Sequence, residues 1–290
     1  MADTFAIVTP SFAPDFERCR LLAESVVRHA ADHVHHYIVV DKRDEQLFSQ
    51  LRSTRTHLVI KQDILPPWLR QVPGSKTWWL NFKGIPVRGW IVQQIVKLSV
   101  VDVCSADTIL FLDSDTFFVR DYDPRDYVRD GLVPMFREEL PEEANKFNQE
   151  WHRIASRVLG LPPPTDQQCR LNYVSQLVTW RRSNVLELHH QLAKVSGRPW
   201  VEALLSCSTL SEYVLYGVFC ERSLMERSRQ YFEPRIDTLN YWKTDLLDDG
   251  ALRKLRSELK PEQVAVMVSA KSHTPVAAIR AAFELAEGVS

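Results

Sequence analysis

The chain has 290 residues, 45% of them hydrophobic and 10% aromatic, with 36 Lys and Arg against 37 Asp and Glu. That composition can bury a sizeable core as one large domain or two small ones. The net charge of -1 excludes a strong overall field toward nucleic acid or an anionic membrane and leaves only local patches.

Five cysteines without a C-x-x-C spacing argue against a disulfide framework or a cysteine zinc site and fit a reducing cytosol. The chain opens without a basic segment followed by a long apolar run. No later window approaches the ~20 apolar residues that a membrane-spanning helix needs. By its own signals the protein is expected to be neither secreted nor membrane-spanning.

In chain order, TFAIVTPS predicts a strand, and FERCRLLAESVVRHA a helix with Cys19, Leu22, Val26 and Val27 at helical spacing. YIVVD is a strand closing on Asp41, DEQLFSQLR a helix and HLVIKQDIL a third strand. Residues 66–88 carry four prolines and three tryptophans with no period, which predicts a long lid or binding loop. GWIVQQIVKLSVVDVC predicts a helix burying Ile91, Ile95 and Leu98, with Gln94 and Lys97 together on another face. The strand DTILFLDSDTFFV follows.

The second half is expected to be more helical. One helix carries Phe147, Trp151, Ile154 and Val158 on one stripe and stops at Gly160. NYVSQLVTW predicts a strand, SNVLELHHQLAKVSG a helix capped by Ser183, and LSEYVLYGVFCERSL a helix opening near Ser211 and Glu212. QVAVMVSA predicts a last strand, and TPVAAIRAAFELA a last helix with Thr274 at its N-cap and Pro275 at its first position. The alternation of strands and amphipathic segments predicts an α/β fold, a mixed, mainly parallel sheet flanked by helices.

Asp113 and Asp115 flank Ser114 at the end of the fourth strand. In a straight strand, residues two apart face the same side, so both acids can converge on a hard cation such as Mg²⁺ or Mn²⁺. Turn capping is the plain alternative. A haloacid-dehalogenase-like phosphatase also uses D-x-D, but there the leading acid is a nucleophile on the first strand. Here Phe117 holds the expected Thr or Val position, and the motif lies a third of the way along the chain.

The strings IVTPSF, YIVVD, PVRGWIVQQIVKL, FLDSDTFFVR and SEYVLYG, spread in this order over residues 7 to 217, resemble those of GT-A glycosyltransferases and of poorly characterised bacterial proteins. The resemblance implies one Rossmann-like GT-A domain over 1–290, with a nucleotide-sugar-binding half at 1–118 and an acceptor-binding half at 119–290. It implies donor contacts from Thr9, Pro10, Ser11, Asp41, Arg88, Gln94, Lys97 and Asp113, and a Mn²⁺ or Mg²⁺ site on Asp113 and Asp115. His273, in the turn after the last predicted strand, is the expected third metal ligand.

Glu212 is the expected catalytic base toward the acceptor hydroxyl; stabilising its helix's dipole is the alternative. The expected donor is a nucleotide diphosphate sugar, most simply a UDP-sugar, and the acceptor a glycan, a lipid-linked molecule or another hydroxyl. The expected setting is cytoplasmic, with peripheral contact at the inner face of the membrane as the alternative. A catalytically inactive nucleotide-sugar-binding protein is the reading outside the enzyme class. The other histidines and the pair Asp248 and Asp249 read as surface, core or turn residues.

Overall fold

From the N-terminus the chain lays down β1 (Phe5–Pro10), α1 (Phe16–His29), β2 (His35–Val40), α2 (Glu45–Phe48), β3 (Thr56–Ile60) and α3 (Lys61–Ile64). The structure is a computed structural model and describes residues 3–72, 75, 78–141, 146–235 and 237–285. The third strand is shorter than its sequence suggests, because Lys61–Ile64 turns helical.

Residues 66–88 contain β4 (Leu69–Gln71), β5 (Trp78–Asn81) and β6 (Val87–Arg88), joined as an antiparallel three-stranded sheet. The long structureless loop expected here is therefore corrected for its described residues. Then come α4 (Gly89–Ser99), β7 (Thr108–Phe111), β8 (Thr116–Phe118), β9 (Val133–Phe136) and β10 (Glu138–Glu139).

The remainder comprises α5 (Lys146–Val158), α6 (Asp166–Cys169), β11 (Leu171–Asn172), β12 (Val178–Arg181), α7 (Arg182–Ser196), α8 (Trp200–Leu205) and α9 (Glu212–Phe219). It closes with β13 (Gln230–Glu233), β14 (Thr238–Tyr241), α10 (Asp249–Ser257), β15 (Ala265–Val268) and α11 (Val276–Phe283).

The central sheet runs β12-β7-β1-β2-β3, with β7, β1, β2 and β3 parallel and β12 antiparallel at the edge. Both faces are covered, as a parallel sheet requires. Ile7 of β1 packs with Leu22 and Val26 of α1, whereas Ala6 and Val8 join Ile91 and Ile95 of α4 on the opposite face. Successive strands leave β1 in opposite directions, to β2 on one side and β7 on the other, so β1 and β7 border a topological switch point. A second sheet, β14-β15-β8, continues from the end of β7.

Several local expectations are corrected. Val27 is half exposed and off the core, and so is Phe147, since α5 buries Asn148, His152, Ile154 and Ala155 instead. Ser183 does not cap α7, which starts one residue earlier after Arg181. Asp248 is more than a turn residue, for its side chain caps α10 by accepting from Ala251 N. Ser211 does cap α9, accepting from Val214 N. Gly197 ends α7 in the left-handed region at φ 66°, where a side chain would be strained.

Candidate active site

A cleft of about 770 Å³ opens at the carboxyl ends of β1, β2 and β7. Pro10 and Ser11 leave β1 into it, Asp41 ends β2, and Asp113, Ser114 and Asp115 follow β7. The far wall is Gln71, Trp78, Trp79 and Arg88 from the small antiparallel sheet, continued by Trp90 and Gln93 of α4.

The two acids do not lie on a straight strand. Residues 113–116 form a turn closed by Thr116 N donating to Asp113 O at 3.1 Å, between β7 and β8. Both side chains nevertheless line the cleft. Asp113 is held from two sides. Its Oδ2 accepts from Gln176 Nε2 at 3.1 Å while its backbone N–H donates to Gln176 Oε1 at 3.0 Å, and its Oδ1 faces Lys97 Nζ at 3.5 Å. Asp115 Oδ2 accepts from Ala270 N at 2.8 Å. Burial, and then the charge of Asp113, push the Asp115 carboxyl up to about 6.

A third acid, Asp15, lines the same wall and accepts from Ser114 Oγ at 3.4 Å. Burial raises its pKa, as does the nearby Asp113, while Arg18 and the Ser114 hydrogen bond oppose the shift. Arg18 donates to Val268 O and Thr274 O, which fastens α1 to the end of β15 behind the acids.

Lys97 is buried beneath Asp113. Its Nζ lies 3.0 Å from Glu212 Oε1 and 3.0 Å from Tyr213 OH, and 4.5 Å from the centre of the Tyr213 ring. Burial alone would lower the Lys97 pKa, but the carboxylates of Asp113 and Glu212 overcome it and hold the ammonium charged. Gln94 lies in the same layer, its Oε1 accepting from Glu212 N at 2.9 Å.

The opposite side of the cleft is basic. Asp41, only 5% exposed, accepts from Arg43 N. Lys61 reaches the cleft from α3, its pKa lowered by burial against the pull of Asp41, with Nζ 6.0 Å from the Trp79 ring centre. Arg43, Lys61 and Arg88 thus surround the floor opposite Asp15, Asp113 and Asp115.

Of the residues singled out in the sequence, Pro10, Ser11, Asp41, Arg88, Asp113 and Asp115 line the cleft. Thr9 does not: it is fully buried, and its Oγ1 lies 3.0 Å from His36 Nε2. Gln94 and Lys97 share one face as expected, but that face meets α9, and the glutamine that α4 presents to the cleft is Gln93. Glu212, 2% exposed, is sealed against Lys97 and lies off the cleft wall.

His273 is exposed and sits at φ 54° in the turn between β15 and α11. Among the described residues no three His, Cys, Asp or Glu side chains gather into a metal-holding set. The trio Asp113, Asp115 and His273 is therefore not assembled. Only the start of that turn, through Ala270 N, reaches the acids. Asp15, Arg43, Lys61 and Gln176 were not anticipated.

The residues present fit a hard cation held by two carboxylates and completed by oxygens from outside the chain. Burial, and then the charge of Asp113, raises the Asp115 pKa, and Mg²⁺ or Mn²⁺ is commonly held by one or two carboxylates plus water and phosphate.

The chain belongs to a family of unknown function (DUF6492), whose profile matches residues 6–275. The match spans the cleft and the acids that line it, Asp15, Asp41, Asp113 and Asp115. No curated protein matches the chain.

Proposed function

We propose that this member of the family is a metal-dependent GT-A glycosyltransferase. It moves a sugar from a nucleotide diphosphate donor, most simply a UDP-sugar, to a hydroxyl of a glycan, lipid-linked or other acceptor. The observation that carries the reading is the pair Asp113 and Asp115 on the wall of a cleft at the switch point of a parallel sheet, the edge where open α/β sheets collect nucleotides. When bound, Mn²⁺ or Mg²⁺ supplies neutralisation of the diphosphate and assists its departure.

The chain's own groups divide the remaining work. Asp113 and Asp115 hold the cation, and Arg43, Lys61 and Arg88 offer cationic donors to phosphate oxygens. Pro10, Ser11 and Asp41 bound the nucleoside end, and Trp78, Trp79 and Trp90 give flat faces for a base or a sugar ring. Lys97 and Glu212 act behind Asp113 as positioning residues. Five unpaired thiols, at Cys19, Cys104, Cys169, Cys207 and Cys220, support a cytoplasmic setting.

Release of UDP from a panel of UDP-sugars tests the reading. The proposal expects Mn²⁺-dependent release from at least one donor, lost in Asp115→Asn. Hydrolysis of a generic phosphate ester without such release would favour a phosphatase. A second reading, an inactive nucleotide-sugar-binding protein, is favoured by the sealing of Glu212 against Lys97; it predicts cation-dependent UDP binding with no release from any donor.

A further inference from the structure

We infer that the β5–β6 hairpin docks the protein onto a bilayer rich in anionic lipid, with the cleft mouth facing the headgroups. The hairpin tip is the most exposed large apolar surface beside the cleft: Phe82 is 68% and Ile85 78% exposed. Trp78 on β5 and Phe82 in the turn just after it are both exposed, while Trp79 between them is buried in the core. The sheet therefore anchors itself through Trp79 and offers its other face outward. Trp90, 42% exposed, extends that face onto the start of α4.

Charge identifies the occupant. From Leu65 to Val101 the sequence contains no Asp or Glu, but it has Arg70, Lys76, Lys83, Arg88 and Lys97, in a chain whose net charge is -1. Lys97 is buried, and Lys83 is paired with Glu202. Arg70 and Arg88 are exposed, and among the described residues neither has a carboxylate partner.

Tryptophans at the base, aliphatic and phenyl groups at the tip and arginines alongside match the depth profile of a membrane interface. A convex tip also suits a bilayer, which parts around a protrusion, better than a flat protein surface. Four residue steps lead from Trp78 to Phe82, at most about 13 Å, and interfacial elements bury their apolar groups roughly 5–10 Å. Trp78 and Arg88 line the cleft, so its mouth then stands close to the headgroup layer. Among the described residues no helix is long and apolar enough to cross a membrane, and the contact is peripheral. The inference does not depend on the transferase reading.

Vesicle flotation tests it, using phosphatidylcholine alone and phosphatidylcholine mixed with phosphatidylglycerol. The full chain is expected to float with the mixed vesicles, less so as salt rises, with Trp emission shifting to the blue. Phe82→Ser/Ile85→Ser is expected to weaken this at least ~10-fold without lowering the melting midpoint, because both side chains are exposed and off the cleft wall. Failure of the parent to float with either vesicle, or equal flotation of the double variant, would overturn the inference. So would a parent dimer that the same double substitution makes monomeric, since the face would then belong to a second copy.

Discussion

At the scale of single residues, the determining feature is a buried row of charges: Glu212, Lys97 and Asp113 in contact order, with only the last at the cleft. Removing one partner of a buried pair strands the other charge in a medium that solvates it poorly. Glu212→Ala is therefore expected to cost about 3 kcal/mol in urea unfolding, toward the lower end because Asp113 still faces Lys97. Lys97→Met/Glu212→Leu should recover most of that loss, since two apolar groups of similar length leave no fully buried charge unpaired and Asp113, at the cleft, keeps its bond from Gln176. Glu212→Gln separates positioning from base catalysis. A base would lose at least ~100-fold in kcat, whereas the sealed geometry predicts a loss below ~10-fold, with transfer tracking stability. A large kcat loss at unchanged stability would restore Glu212 to the reacting centre.

At the scale of elements, α9 shows how much packing a short sequence string can specify. In SEYVLYG, Ser211 caps the helix, Glu212 and Tyr213 hold Lys97, and Tyr216 OH donates to Gln230 Oε1 at 2.6 Å and accepts from Arg181 N at 2.9 Å. Gly217 lets the ring of Tyr173 lie against the helix: a Cβ there would come within 2.4 Å of it. Tyr173 cannot swing aside, because it is buried and its hydroxyl donates to Glu221 Oε2 at 2.5 Å. Gly217→Ala is thus expected to destabilise by about 1–3 kcal/mol, although alanine favours helix by ~1 kcal/mol. A melting midpoint at or above the parent's would contradict this packing.

The same scale explains what the sequence disclosed. The helix α1 was readable because one regular face of it meets the core, whereas β1 and β2, buried on both faces, were readable as short apolar runs bounded by turn residues. The β4–β6 sheet was not, since strands of three, four and two residues are too short to show a period. Lys61 was hidden because it seemed to continue a strand that in fact turns helical there. Gln93 reaches the cleft and Gln94 does not because adjacent helical residues differ in direction by about 100°, and nothing in the sequence indicates which face meets α9. The acids were legible as a pair, but their turn was not.

At the scale of the whole molecule, buried histidines weigh on the acid side of stability, His36 and His189 with the largest shifts and His152 in the same direction. Burial pushes His36 down to about 3 and His189 to about 4, with His57 and His190 adding to the respective shifts. Both are neutral in the fold and take protons near 6.5 when unfolded. Their contribution to stability is present above pH 6.5 and is lost as pH falls toward their folded values, at about 1.4 kcal/mol per unit for each. Asp115, raised to about 6, works in the opposite direction between about 6 and 4 and offsets part of the loss. Urea unfolding from pH 7 to pH 4 should show a net decline that His189→Gln reduces; a flat profile in the parent would contradict it.

We propose that the cleft binds a nucleotide diphosphate through a cation held by Asp113 and Asp115. The most direct test is the melting midpoint with UDP, measured with Mn²⁺ and again with EDTA, in the parent and in Asp115→Asn. Ligand at about 100 times its Kd should stabilise the parent by about 2.7 kcal/mol. The account predicts that stabilisation only when UDP and Mn²⁺ are both present, and its loss in the variant. Equal UDP shifts with Mn²⁺ and with EDTA, or an undiminished shift in Asp115→Asn, would contradict it.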